Sequence, residues 1–364
     1  MNPLPTASLR AGQMIITGIE GTTLTKEAER VIRLYTPGGV ILFPRNYKNP
    51  KQLYELIRDL QALAEEVSPG WPLFISVDQE GGKVARLTQP FTQFPEPGCL
   101  GLADSHELAY RFGSALATEL KSVGINMDYA PVLDVNTNPD NPIIGMRAFS
   151  ADPLRAGVLG VAFLNGMQDL GMVAVGKHFP GHGDTCQDSH LELPTVDRDE
   201  ATLEQVELAP FAHAVENGLK AIMTAHVMYP AWDKKMPATL SRKILKEILR
   251  ARLGFQGIVI SDDLEMKAID NHYKVEELAG LGVEAGLDMF MICHSEKKVA
   301  SLHDTLVRGL EKGKISAGSV EMSLERIHEI KSQLPKRPAA PPDPDDWELD
   351  HARLAKEMAE YLSA

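Results

Sequence analysis

The sequence predicts an α/β fold, a single (β/α)8 barrel of the TIM type followed by a proline-rich linker and one last helix. Three observations carry this. Short apolar runs rich in β-branched residues alternate with longer stretches of helical period, eight times over. Most of those runs end in or beside an ionisable residue. The one strong compositional break comes late, in PKRPAAPPDPDD at residues 335–346, where five of twelve residues are proline. Strands that alternate with helices are parallel, because parallel neighbours need a long crossover. Eight such units close into a barrel more readily than they extend an open sheet.

The runs are, in order, Met14 to Gly18, Gly39 to Phe43, Leu73 to Asp78, Ile125 to Val135, Met172 to Lys177, Ala221 to His226, Gly257 to Asp262 and Asp288 to Cys293. Between them, Leu53, Leu56, Ile57, Leu60, Leu63 and Val67 repeat at helical spacing, and similar patterns cover 105–123, 153–170, 200–217, 241–253, 275–285 and 297–312. A helix over 319–334 completes the first unit, residues 1–334. The linker 335–346 follows, then a helix over 347–364 with Leu354, Met358 and Tyr361 on one face, expected to dock on the barrel or on a partner. A tail of this length is too short for a core of its own.

Composition excludes several roles. With 37 basic and 50 acidic residues the formal charge is −13, and no basic block offers a footprint for nucleic acid. No run approaches the ~20 apolar residues of a membrane span. The opening MNPLPTASLRAGQMIITG lacks the apolar core of a secretory leader, so a cytoplasmic location is expected. Cys99, Cys186 and Cys293 are odd in number and widely spaced, which reads as free thiols rather than a disulfide or zinc framework.

Active sites of barrels form at the carboxyl ends of the strands. Asp78, Asp128, Asp134, Lys177, His178, His226, Asp262 and His294 all stand there. The densest cluster is KHFPGHGDTCQDSH, residues 177–190, with three of the chain's 11 histidines. Its residue types suit a metal site built from His178, His182, Asp184 and His190. They equally suit an acid/base pair in which a carboxylate orients an imidazole. GIVISDDLEM, 257–266, presents adjacent carboxylates; on a straight strand only one of Asp262 and Asp263 faces the mouth, and Asp263 reads as a helix cap. In ISVDQEGGKVARL, 75–87, Gly81 and Gly82 allow a tight turn that returns Arg86 toward Asp78, and NPIIGMRAF, 141–149, presents Arg147.

These strings, with GGVILFPRNYKNPKQL at 38–53, resemble in order and spacing the bacterial β-N-acetylhexosaminidase branch of glycoside hydrolase family 3, across residues 14 to 295. The resemblance implies a retaining exo-β-N-acetylglucosaminidase acting on peptidoglycan turnover fragments, without cofactor or metal. It implies Asp262 as nucleophile and His190, paired with Asp188 on a flexible loop, as acid/base. It further implies Asp78, Arg86, Arg147, Lys177 and His178 as sugar-binding residues, with His226 lining the pocket. Lys83 and Ala148 depart from the family pattern, where Arg and Ser are common. Larger members carry a second α/β domain; with 30 residues after 334, none is expected here. The expected partner is a small saccharide, with the chain a monomer or a weak homo-oligomer. A phosphorylase with the same residues, a metal-dependent hydrolase and an inactive sugar-binding protein are the competing readings.

Overall fold

The computed structural model describes residues 4, 6–186, 192–334 and 343–362. The eight barrel strands are β1 Ile15–Gly18, β2 Gly39–Ile41, β3 Phe74–Val77, β4 Met127–Asp128, β5 Val173–Phe179, β6 Ala221–Thr224, β7 Ile258–Asp263 and β8 Met289–Ile292. Every pair is parallel and in sequence order, and β8 closes on β1 through Ile15↔Phe290 and Ile16↔Met291. The predicted (β/α)8 barrel is the observed fold.

Helices on the outer layer begin where the sequence supplies caps. Side-chain oxygens of Thr25, Asn49, Ser105, Asp152 and Ser295 accept from backbone N–H groups in the first turn of helices Lys26–Tyr35, Pro50–Val67, His106–Ser122, Pro153–Gln168 and Glu296–Glu311. The expected helix over 200–217 is two, Glu200–Gln205 and Ala209–Glu216, because Pro210 is tolerated only in a first turn and starts a new one. The first outer helix, Lys26–Tyr35, was not among the predicted elements.

Two departures along the strands shape the mouth. β4 is shorter than its apolar run because Pro131 has no N–H for the ladder. The segment stays beside β5 through Val175 N–H to Ala130 O (2.9 Å), Lys177 N–H to Pro131 O (3.1 Å) and Leu133 N–H to Lys177 O (2.7 Å). In β7, Ile260 opposes Met289 while Asp263 opposes Met291, so three residues advance against two. Such a bulge bends the strand and re-aims its side chains.

The helix Glu348–Glu360 packs against helices Gly98–Ala103 and His106–Ser122. Leu354 and Met358 are buried as its pattern suggests, but Tyr361 is exposed and Trp347 takes the third apolar place, stacked on Phe91. Arg111 grips Glu357 with both guanidinium nitrogens (3.1 and 2.8 Å), and His351 Nδ1 meets the buried Glu119 carboxylate at 2.8 Å. Removing residues 335–364 is expected to cost on the order of 3 kcal/mol, since three buried apolar side chains are lost and Glu119 loses a partner, partly offset by the freed chain entropy. Urea unfolding reads this, and an unchanged midpoint would refute it.

Candidate active site

The carboxyl ends of the strands surround a cavity of about 270 Å3 whose floor is apolar, from Ile41, Met223 and Met291. Asp78, Arg86, Arg147, Lys177, His178 and Asp262, six of the residues singled out in the sequence, all line it, together with His182, Asp263 and His294. Asp188 and His190 lie outside the described residues. His226 does not line the cavity, contrary to expectation. It is buried beneath it, with Nδ1 at 2.7 Å from Thr239 Oγ1 and Nε2 donating to the Asp263 carbonyl (3.1 Å), so both ring nitrogens face protein.

One wall is a charge array. Lys177, inside β5 rather than on a loop, donates from Nζ to Asp78 Oδ1 (2.8 Å) and to Glu80 Oε1 (2.5 Å). Arg147 binds Glu80 in a fork, Nε to Oε2 and Nη2 to Oε1, both 2.8 Å. Burial alone pushes the Glu80 carboxyl up, but Lys177 and Arg147 together hold it below its ordinary range. Lys177 is likewise pushed down by burial and held above its ordinary value by Asp78 and Glu80. Glu80 escaped the sequence reading; its signal was only the acidic residue before Gly81-Gly82. Those glycines, at φ 94° and 57°, make the turn of a hairpin, Gln79–Gly81 against Val84–Ala85, that returns Arg86 to within 3.7 Å of Asp78.

A second wall is organised by Asp134, a fully buried carboxylate. It accepts from His178 Nδ1 (2.7 Å) and from the backbone N–H of His182 (2.6 Å). Burial pushes this carboxyl up, yet the two histidines and the His182 N–H hold it below its ordinary value. An ionised carboxylate only accepts, so His178 carries its proton on Nδ1 and presents Nε2 to the cavity. Of the proposed metal donors, His178 Nδ1 is thus committed to Asp134, His182 Nδ1 to Thr185 Oγ1 (2.7 Å), and both Asp184 oxygens to Arg198. Among the described residues no group of three or more His, Cys, Asp or Glu side chains converges on a metal position.

Both aspartates of β7 face the mouth, because the bulge bends the strand between them. Their environments drive them apart. Burial pushes the Asp262 carboxyl up, but His226, His178, Lys177 and the Asp263 N–H (2.8 Å to Oδ1) outweigh it and hold Asp262 below its ordinary value. Burial dominates at Asp263, which is pushed up to about 7 despite N–H bonds from Glu265 (3.1 Å) and Cys293 (3.3 Å). Asp263 therefore steadies the turn after β7; the helix that follows begins at Lys267 and takes no cap from it. An acid raised in the native state is accommodated fully below its unfolded value near 4, and its burial opposes folding increasingly as pH rises to 7. Asp263→Asn is therefore expected to match wild-type stability near pH 4 and exceed it above pH 7, by at most about 4 kcal/mol. Denaturation midpoints at both pH values test this; a gain at pH 4 as large as at pH 8 would contradict it.

Fold and site together define a (β/α)8-barrel enzyme centred on an ionised carboxylate. The chain belongs to glycosyl hydrolase family 3: residues 6–330 match the Glycosyl hydrolase family 3 N terminal domain. It is 43% identical over 300 residues to a Beta-hexosaminidase of Nitrosomonas eutropha, covering 80% of this chain and 84% of that protein. It is 36% identical over 345 residues to Beta-hexosaminidase A of Pseudoalteromonas piscicida, covering 88% of this chain but only 57% of the relative. The chain thus spans little more than half the length of that relative. A solved glycoside hydrolase family 3 β-N-acetylglucosaminidase from Paenibacillus sp. superposes with a TM-score of 0.94 at 38% identity, covering 98% of this chain and 69% of that one. The family that the motifs implied is the family to which the chain belongs.

Proposed function

We propose that this chain is a retaining exo-β-N-acetylglucosaminidase that removes terminal N-acetylglucosamine from peptidoglycan turnover fragments in the cytoplasm. The observation that carries the reading is the convergence of ionised Asp262 with the Lys177–Asp78–Glu80–Arg147 array in one small cavity. The volume, below the roughly 300–1,000 Å3 of most ligand pockets, suits one sugar ring better than a chain. Three free cysteines are in keeping with a reducing compartment.

Asp262 attacks the anomeric carbon while the leaving oxygen takes a proton from the His190 imidazolium, which Asp188 supports. The glycosyl–Asp262 ester is then attacked by water, whose proton returns to His190, and the ester C–O bond breaks. Asp78 accepts from sugar hydroxyls, while Lys177, Arg147 and Arg86 donate to them. His178 Nε2, opposite the nitrogen committed to Asp134, faces the sugar.

Aryl β-glycosides of N-acetylglucosamine, glucose and xylose test the substrate class. A preference for the N-acetylated sugar of at least about 10²-fold in kcat/KM is expected, since buried polar groups left unpaired by the wrong sugar penalise it strongly. Comparable rates on all three would overturn the assignment. Release of the sugar 1-phosphate in phosphate buffer, rather than the free sugar, would overturn hydrolysis.

A further inference from the structure

Outside the cavity, the chain between Asp184 and Arg198 is closed at its base by an ion pair. Arg198 donates from Nε to Asp184 Oδ2 (2.7 Å) and from Nη2 to Asp184 Oδ1, across a separation of 14 residues. The interval they close contains Asp188 and His190. A second carboxylate stands behind the pair: Glu207 Oε1 lies 3.2 Å from Arg198 Nη1, and the Glu207 side chain is buried. Glu207 also packs against the start of the same stretch. A Cβ added to Gly181 would meet Glu207 Cβ at 2.8 Å, so the glycine admits it.

Each side of the ion pair is tied to a different part of the barrel rim. Upstream, Asn141 Nδ2 donates to the carbonyls of His182 (2.9 Å) and Gly183 (3.0 Å), and Asn138 Nδ2 to the carbonyl of Thr185 (3.2 Å), all from the loop after β4. Downstream, Val196 N–H donates to Met228 O and Met228 N–H to Pro194 O, both 2.9 Å, on the loop after β6. Hydrogen bonds hold each end to its own loop; Asp184–Arg198 joins the two ends to each other. The forked geometry fixes orientation as well as distance, which a single point charge does not.

We propose that Asp184, Arg198 and Glu207 form a clasp that sets the span across which the acid/base residues are strung, making Arg198 and Asp184 positioning residues for proton transfer. This rests on the assignment of His190 as the acid/base. The clasp touches neither the nucleophile nor the sugar-binding array. Its loss therefore impairs only the steps that move a proton: departure of a poor leaving group, and activation of water.

The test compares Arg198→Ala, Asp184→Asn and His190→Ala on N,N′-diacetylchitobiose and on 2,4-dinitrophenyl N-acetyl-β-D-glucosaminide, with and without azide. The dinitrophenolate leaves without a proton. Azide attacks the glycosyl–Asp262 ester, forming a C–N bond as the ester C–O bond breaks, and needs no base. For Arg198→Ala, kcat/KM on chitobiose is expected to fall about 10²-fold while that on the activated glycoside stays within about threefold, since general acid catalysis contributes 10² or more. Azide is expected to restore kcat on the activated glycoside and yield the β-glycosyl azide. Arg198→Lys, which keeps charge but not the fork, should fall between. Should Arg198→Ala fail to fold, Asp184→Asn carries the same expectations. Equal losses on both substrates without azide rescue, or no loss on chitobiose, in a folded variant would overturn the clasp while His190→Ala shows the rescue pattern. Absence of that pattern in His190→Ala itself would overturn the acid/base assignment instead.

Discussion

Replacing Asp262 by alanine is expected to lower turnover of an aryl N-acetyl-β-D-glucosaminide by at least about 10⁴-fold, the scale on which covalent catalysis fails when its nucleophile is deleted. Three structural facts make this loss large. Asp262 lies in the cavity, the bulge in β7 aims it at the mouth, and its surroundings keep it ionised while those of Asp263 favour the acid. Asp263 thus makes a poor substitute, being partly protonated near neutrality and tied to two backbone N–H groups. Steady-state kinetics with wild-type and variant enzyme measure the effect, and the ester on Asp262 can be sought by mass spectrometry after a slow substrate. A variant within tenfold of wild type would mean that another group, such as the substrate's own acetamide, attacks the anomeric carbon.

Glu80→Gln is expected to destabilise the protein strongly while leaving Asp262, the proposed nucleophile, in place. The buried Glu80 carboxylate serves two cations, and its neutral replacement leaves Arg147 without its ion-pair partner and Lys177 paired with Asp78 alone. Breaking a buried pair from one side costs about 3–5 kcal/mol, because an uncompensated charge stays behind. Urea unfolding at pH 7 measures the cost. kcat/KM should fall as well, since Lys177 and Arg147 lose the orientation they present to a sugar. Wild-type stability would mean that Asp78 and the cavity compensate the array without Glu80.

All eight strands could be read from the sequence because a parallel barrel buries its strands, so each appears as an uninterrupted apolar run. Their polar ends were legible too, and five of the residues that stand there, Asp78, Lys177, His178, Asp262 and His294, line one cavity. What could not be read depends on partners distant in the chain. Glu80 becomes significant through Lys177 and through Arg147, 67 residues on, and the role of Asp134 through His182 and through His178, 44 residues on. Neither spacing has a period. The misplacement of His226 has a similar source: a strand-end histidine can point into the mouth or under it, and the choice is made here by Thr239 and the Asp263 carbonyl. The adjacency rule for β7 failed at Asp262 and Asp263 because a bulge is a property of two strands, and the sequence displays one.

The apolar floor under the cavity has a kinetic consequence. Met223 and Met291 sit over a barrel interior filled by side chains, so among the described residues no second passage leads out below. Entrance and exit are the same opening. Under the proposed activity, a released sugar must vacate the mouth before the next chain end can enter, so the monosaccharide product is expected to inhibit competitively and each cleavage to require dissociation.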